Sequence, residues 1–456
     1  MSPIGALMPA RRAALSRALA TAIAAVSLVM PSRVDAGSFD LFGQTPRDIG
    51  MGGAMTAAVI GYSALYYNPA ALTLDKSHLL GLGLQLASPG LFVDREDEGV
   101  EPETALPDTH VGLSFGWVKP VGGVFDDRLA LGLSISLPIE RLIRVQGVDP
   151  AAPQFYLYQN LADKLLIHLG AAGELSDWLS IGAGLQILAD LNGRAGLDLD
   201  LLGGVFRGRS MSVTLVPTIA PIVGIHVQPP AGAGQLKLGL SFRGASELSF
   251  DLPVSVTAGD ALDLQIGVKQ TVLYTPPTLS LGLSYTLDRP ALTVALDLAW
   301  ALWSNAPDPS PRLSVDLGGR LVEAFGLDSA LDLGVGAPPL ALGFSDTLTA
   351  RVGAEWSPLH WLALRMGYAF RPTPAPPQTG STSYLDNDAH ITSLGVGFSF
   401  ENPLKEGRSI VDLDLAVQAT VLPRRTVYRL APENPGGDLS HGGIVWHVSV
   451  GGVHRF

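Results

Sequence analysis

Apolar and small residues alternate along most of this chain. Leu129, Leu131, Leu133, Ile135 and Leu137 are separated by Ala130, Gly132, Ser134 and Ser136. The same beat runs from Ile181 to Ile187, Leu236 to Phe242, Leu279 to Leu287, Leu292 to Trp300, Leu362 to Phe370 and Val411 to Val417. A period of two places successive side chains on opposite faces of a β-strand, so each run predicts a strand with one apolar face. Asn192-Gly193 and Asp288-Arg289-Pro290 read as turns between such runs.

A soluble sandwich has the same local beat, and the second face separates the two cases. It carries mostly Gly, Ala, Ser and Thr, together with Lys237, Arg243, Asp297, Arg351, Glu355, Arg365, Asp412 and Asp414. Bulk water would crowd that face with lysine and glutamate. Small residues with sparse charges of both signs instead suit a lumen. Strands of about ten residues, apolar outside and small or polar inside, are the pattern of a transmembrane barrel. Closure also pairs the backbone groups that lipid cannot satisfy. The expected fold is all-β, a transmembrane antiparallel β-barrel. The last strand ends on an aromatic residue, Phe456, as outer-membrane barrels commonly do, although His454 stands where an apolar residue is usual.

Composition narrows the function classes. Of 456 residues, 47% are hydrophobic and 16% charged, against about 25% charged in a soluble domain. Beyond the N-terminus no run of about 18 apolar residues encodes a membrane helix. There is no cysteine, hence no disulfide framework and no thiolate chemistry. Arg11, Arg12 and Arg17 precede an uncharged stretch from Ala18 to Met30, then Pro31 and the small-x-small site Val34-Asp35-Ala36. Residues 1–36 therefore read as a cleavable signal peptide, leaving Gly37 as the first mature residue. Their removal deletes four arginines and Asp35, which takes the net charge from −12 to −15. That acidity argues against nucleic acid as a partner.

Ahead of the first strand lie Arg47-Asp48-Ile49-Gly50-Met51-Gly52-Gly53-Ala54 and Ser63-Ala64-Leu65-Tyr66-Tyr67-Asn68-Pro69-Ala70-Ala71-Leu72. Further on come Pro276-Pro277-Thr278, Trp300-Ala301-Leu302-Trp303-Ser304, Arg351-Val352-Gly353-Ala354-Glu355-Trp356, Leu364-Arg365-Met366-Gly367-Tyr368-Ala369-Phe370 and Leu385-Asp386-Asn387-Asp388 with His390. In this order they resemble the FadL-type outer-membrane transporters of long-chain fatty acids and other hydrophobic compounds. The resemblance runs from Gly37 to Phe456, with the N-terminal block and residues 351–390 its most specific parts. It implies a monomeric barrel of about 14 strands over 80–456, plugged by an N-terminal hatch over 37–79 that contains the motif Asn68, Pro69 and Ala70. It also implies passive, hatch-gated uptake of long-chain fatty acids across the bacterial outer membrane, in contact with outer-membrane lipid and without a cofactor. An aromatic-hydrocarbon channel and a non-transporting scaffold or shuttle for secretion machinery are the rival readings.

Candidate ligand-path residues follow from that reading. Phe39, Phe42, Tyr66 and Tyr67 of the hatch either line the path or only pack the plug. Phe155 and Tyr158 belong to a stretch from Pro153 to Leu166 that is either an amphipathic loop helix forming an outer groove or the aromatic top of a strand. Arg351 and Arg365 either meet a fatty carboxylate or pair with Glu355 and inward aspartates. Asn68 satisfies backbone groups in a turn and Pro69 sets its direction. The acidic stretch Asp94 to Asp108 reads as a solvated surface loop. No catalytic or metal site is expected. Gly112-Leu113-Ser114-Phe115-Gly116 fits the nucleophile-elbow pattern G-x-S-x-G, but it sits in an alternating strand and not at a strand-to-helix turn. The nine histidines form no metal-ligand pattern.

Overall fold

The structure is a computed structural model describing residues 39–95, 106–139, 152–159, 165–200, 205–230, 234–258, 262–308, 312–318, 320, 342–379, 382–401, 409–429 and 438–456. The expected signal peptide, 1–36, and most of the acidic stretch, 96–105, lie outside the described residues. Nineteen strands occur among them. The first ten are β1 (Leu79–Arg95), β2 (His110–Val121), β3 (Leu129–Pro138), β4 (Gln154–Phe155), β5 (Leu166–Ser176), β6 (Leu179–Asp200), β7 (Val205–Val227), β8 (Gly234–Arg243), β9 (Ser246–Ala258) and β10 (Leu262–Thr275). The rest are β11 (Thr278–Asp288), β12 (Ala291–Ala301), β13 (Arg312–Gly318), β14 (Thr347–Leu359), β15 (Leu362–Arg371), β16 (Tyr384–Leu385), β17 (Ala389–Glu401), β18 (Ile410–Val427) and β19 (Leu439–Arg455).

Fourteen of these form a closed antiparallel barrel. The wall omits β4, β9, β10, β13 and β16, and it closes where Leu79 of β1 stands opposite Arg455 of β19. The end holding Leu79 and Arg455 is the base, and the opposite end is the mouth. At the mouth β9, β10 and β13 pair side by side, and β9 runs parallel to the upper part of β6. Asn192-Gly193, expected as a turn, instead lies within β6 opposite Thr214 and Val213 of β7, with Asp251 of β9 opposite Asn192. Ladder partners on both sides override the local turn preference of that dipeptide. The turn expected around Asp288-Arg289-Pro290 does connect β11 and β12.

The outer face is apolar. Leu82, Leu281, Met366 and Leu394 are each more than half exposed, and a continuous exposed apolar band of this kind needs lipid around it. No described helix is long and apolar enough to cross a membrane. Lipid makes unpaired backbone donors costly, and the seam between β7 and β8 shows how the chain manages one edge. Only six residue pairs join these strands, from Ile222 opposite Arg243 to Val227 opposite Leu238. Above them Gly244 N donates to Pro221 O at 2.8 Å, and the chain then leaves the wall to start β9. Pro221 and Pro217 share the parity of that edge, so their nitrogens point to it without a hydrogen to leave unpaired.

Inside the barrel, residues 39–74 form short helical turns, Phe39–Phe42, Pro46–Gly50, Gly61–Ser63, Ala64–Tyr67 and Pro69–Thr73. They lie flat on the wall because the wall has no side chains there. Gly81, Gly116, Gly132, Gly170, Gly182, Gly224, Gly239, Gly282, Gly353, Gly367, Gly395 and Gly451, on twelve different barrel strands, all face this segment. A Cβ on Gly116 would fall 1.9 Å from the Tyr62 ring, one on Gly239 2.1 Å from Thr56 O, and one on Gly367 2.1 Å from Gly52 N. Of the remaining two strands, β12 contributes Asp297, whose Oδ2 accepts the Thr56 N–H at 2.8 Å. β18 contributes Asp414, which joins the ion network beneath the segment.

That network begins at Arg47. Its Nε and Nη2 donate to the two oxygens of Glu355 on β14 at 2.9 and 3.0 Å. Glu355 also accepts from Arg365 Nε on β15 at 2.6 Å, and Arg365 Nη1 pairs with Asp414. Closer to the base, Arg455 of β19 holds Asp75 at 2.9 Å and also pairs with Asp412.

The glycine belt makes the segment's seating sensitive to single methyl groups. Gly367→Ala should leave the barrel folded yet displace the segment, because the new atom meets backbone that cannot rotate away; such overpacking costs about 1–3 kcal/mol. Hydrogen exchange of residues 49–56 should accelerate in this variant. Gly318→Ala, whose nearest neighbour would be 3.9 Å away, should leave exchange unchanged.

Candidate functional site

Two adjoining spaces open above the N-terminal segment, of about 780 and 630 Å³ counting the part that reaches solvent. They share Leu41, Tyr66, Arg243, Thr278, Ala299, Thr349, Arg351 and Arg371, and so form one cavity between segment and mouth. The first space adds Phe42, Tyr67, Ser241 and Gln418, and the second adds Leu157, Trp303 and Pro276. The cavity thus combines apolar and aromatic surface with three guanidinium groups. Arg243 lies over the Tyr66 ring, 4.3 Å from its centre. Arg351 stands opposite Asp297 in the β12–β14 ladder and has no hydrogen bond among the described residues.

The sequence candidates divide among different places. Phe42, Tyr66, Tyr67 and Arg351 line the cavity. Phe42 also stacks on His447, 4.7 Å between ring centres and 18° between planes. Tyr66 packs edge-on to Tyr67 at 4.9 Å. Arg365 is elsewhere. It belongs to the ion network below the segment, where Glu355 and Asp414 occupy it. The side chain of Phe39 lies outside those described.

Phe155 and Tyr158 sit above the cavity, in an apolar cluster that roofs it. Phe155 is fully buried against His441 and lines neither space. Tyr158 accepts a hydrogen bond from Arg371 at 3.2 Å. The long loop helix considered for Pro153 to Leu166 is a single turn, Tyr156–Gln159, following β4, while residues 160–164 lie outside the described ones. β4 pairs in parallel with β16, so tertiary pairing and not helical periodicity organises this stretch.

Asn68 is fully buried, and its position explains the Asn-Pro-Ala motif. Its Oδ1 accepts from Ala70 N at 3.2 Å, and its Nδ2 donates to Thr56 O at 2.9 Å and to Ile225 O of β7 at 3.0 Å. One amide therefore caps the turn Pro69–Thr73 and ties two parts of the segment to the wall. The turn it caps lies against Gly182, where a Cβ would fall 2.4 Å from Ala70 N. Ser114, of the G-x-S-x-G pattern, lies within β2 facing the segment, so the strand-to-helix geometry of a nucleophile elbow is missing. No described group of three or more His, Asp or Glu is arranged to hold a metal.

Arg243, Arg371, Trp303 and Phe344 were not among the sequence candidates, and Tyr156 entered only as part of the stretch from Pro153 to Leu166. Parity was the available signal for the two arginines. Both end alternating runs on the inward beat, from Leu236 and from Leu362. No local pattern marks the aromatic cluster, in which Tyr156, Trp303 and Phe344 meet edge-on from three separate loops at 5.5–6.4 Å.

No family model matches the chain. A curated relative, alkane uptake protein A of Marinobacter nauticus, is 24% identical over 407 residues, 84% of each chain. Among solved structures, a Pseudomonas aeruginosa FadL homologue superposes with a TM-score of 0.54 at 14% identity, covering 93% of this chain and 98% of its own. The Pseudomonas putida toluene transporter TodX gives 0.56 at 17% identity, covering 91% and 99%. The fold is that of the FadL-type barrels. Within this FadL-type fold the toluene transporter TbuX of Ralstonia pickettii is similar too, with a TM-score of 0.53 at 18% identity, covering 92% of this chain and all of its own.

The seating of the segment depends on pH through Asp48. This carboxyl closes a capping box with Thr45 and accepts from Ser63 Oγ at 3.2 Å. Burial pushes it up to about 6, although hydrogen bonds from Thr45 and Ser63 and the charge of Arg47 oppose the rise. A carboxyl raised in the folded state binds its proton more tightly there than when unfolded. Its contribution is therefore fully present below about 4 and is lost as pH rises through about 6. Hydrogen exchange of residues 48–53, corrected for intrinsic rates, should show a more open segment at pH 7.5 than at pH 5. Asp48→Asn should flatten that difference.

Proposed function

We propose that this protein carries long-chain fatty acids, or similar amphipathic molecules with an anionic head, across the bacterial outer membrane. Passage is passive, through a barrel in which residues 37–79 act as the hatch and residues 80–456 as the wall. The signal peptide over 1–36 delivers the chain to its compartment. The observation that carries this reading is the cavity above the hatch, where Arg243, Arg351 and Arg371 share one space with Leu41, Phe42, Tyr66, Leu157 and Trp303. Its mixture of apolar, aromatic and guanidinium lining suits a hydrocarbon tail joined to a carboxylate. The exposed apolar band requires lipid, and the relative and the structural neighbours carry names of hydrophobic-compound transporters.

Those names also support a second reading. Alkanes and toluene are neutral, and the edge-on aromatic cluster of Tyr156, Trp303 and Phe344 would suit a neutral hydrocarbon. Arg351 supports the first reading. It faces the cavity without a hydrogen bond among the described residues, and a cavity serving only hydrocarbons would bear the desolvation of that charge for no gain.

Mass spectrometry of lipid extracts from protein purified in mild detergent should find fatty acids, displaced by added oleate. Arg351→Ala should weaken oleate binding by tenfold or more, since a hydrogen bond to a charged group contributes about 1.5–3 kcal/mol. Hexadecane binding should not change. Equal weakening of both ligands would transfer the assignment to the hydrocarbon reading.

A further inference from the structure

Arg371 ends β15 at a point where three parts of the molecule meet. Its Nη2 donates to Asp386 Oδ1 at 3.1 Å and to the Tyr158 hydroxyl at 3.2 Å. Asp386 directly follows β16, and Tyr158 lies in the helical turn after β4. These two strands pair in parallel, and Gln154 N donates to Ser383 O at 3.1 Å. Arg425 Nη1 holds the same loop by donating to Ala375 O and Asp386 O, each at 3.0 Å. One guanidinium thus ties the roof of the cavity to the barrel wall, and it lines the cavity at the same time.

The pairing leaves two polar atoms over. Arg371 Nε and Asp386 Oδ2 are both buried without a hydrogen-bond partner. Asp386 is 1% exposed, and burial holds its carboxyl above the usual range despite the charge of Arg371. Thr373, the Asn387 backbone and the charge of Arg425 also favour the Asp386 carboxylate, while the Arg371 guanidinium has a donor to spare beside the cavity. A second carboxylate arriving from the cavity side can take both nitrogens in the fork geometry that guanidinium favours.

We propose that Asp386 is the selectivity residue of the roof. Without ligand it occupies Arg371. The carboxylate of an amphipathic ligand displaces it, and the roof segments 154–159 and 384–388 are released together. A neutral hydrocarbon has nothing to exchange for Asp386, so it leaves the roof closed. The exchange conserves charge pairing, since Arg371 keeps a carboxylate throughout and Asp386 regains water as its loop lifts. This inference rests on the reading that the cavity takes anionic amphiphiles.

The chain has no cysteine, so a single pair of spin labels can be placed at Thr379→Cys on the roof loop and His360→Cys near the base, both exposed. In the otherwise wild-type protein in detergent, oleate should lengthen or broaden the distance distribution and hexadecane should leave it unchanged. Asp386→Asn should broaden it without ligand and lower the oleate-to-hexadecane uptake ratio in cells by tenfold or more. Oleate binding by calorimetry with no change in distance would overturn the proposal while sparing the cavity reading. Failure of oleate to bind would remove both. An unchanged uptake ratio in Asp386→Asn would also count against the selectivity role.

Discussion

Everything inside this barrel depends on bringing a folded segment into backbone contact with a β-wall. Two polypeptide backbones approach that closely only where side chains are absent, so glycine faces inward on twelve of the fourteen wall strands at the level of the segment. On β12, Asp297 uses the same closeness to accept a backbone N–H. The belt divides the lumen into a cavity toward the mouth and an ion network toward the base. It uses twelve of the chain's 52 glycines. A porin-like lumen has no use for such a belt, because water tolerates any inward side chain.

Charge is arranged differently on the two sides of the belt. Below it, each guanidinium meets carboxylates, Arg47 and Arg365 on Glu355, Arg365 on Asp414, and Arg455 on Asp75 and Asp412. Buried ions left without partners would be strongly destabilising, so pairing here is structural. Above the belt the guanidinium groups of Arg243, Arg351 and Arg371 share their surface with hydroxyls and aromatic rings in an open space. Arg371 is fastened there to Asp386 as well, whereas Arg351 faces the cavity without a hydrogen bond among the described residues.

The wall and the roof solve a further backbone problem together. Where β8 leaves the wall, β7 would present free donors to lipid, and prolines at 217 and 221 remove two of them. The departing chain becomes β9 and crosses to the far edge of β6, where Gln186 Nε2 donates to Ser246 Oγ at 3.2 Å. The chain that the wall releases thus extends the sheet at the mouth through β9, β10 and β13.

The amino-acid sequence by itself determined the strands, their inward and outward faces, the barrel class and the need for lipid outside. Period-two alternation reports side-chain facing residue by residue, and facing is a local property of an extended chain. Parity likewise put Arg351, Arg365, Asp297 and Asp414 inside. It could not say that Arg365 belongs to a closed ion network while Arg351 faces a cavity. That difference depends on height relative to a segment more than 280 residues away, with Arg47 reaching Glu355 across 308 positions. Tertiary structure alone decided that Asn192-Gly193 continues a strand, that Phe155 packs a roof, and that Arg371 ties two roof segments to the wall. Register and closure fix such meetings, and they result from all fourteen strands pairing at once, whereas any local stretch of sequence records only the facing of its own side chains.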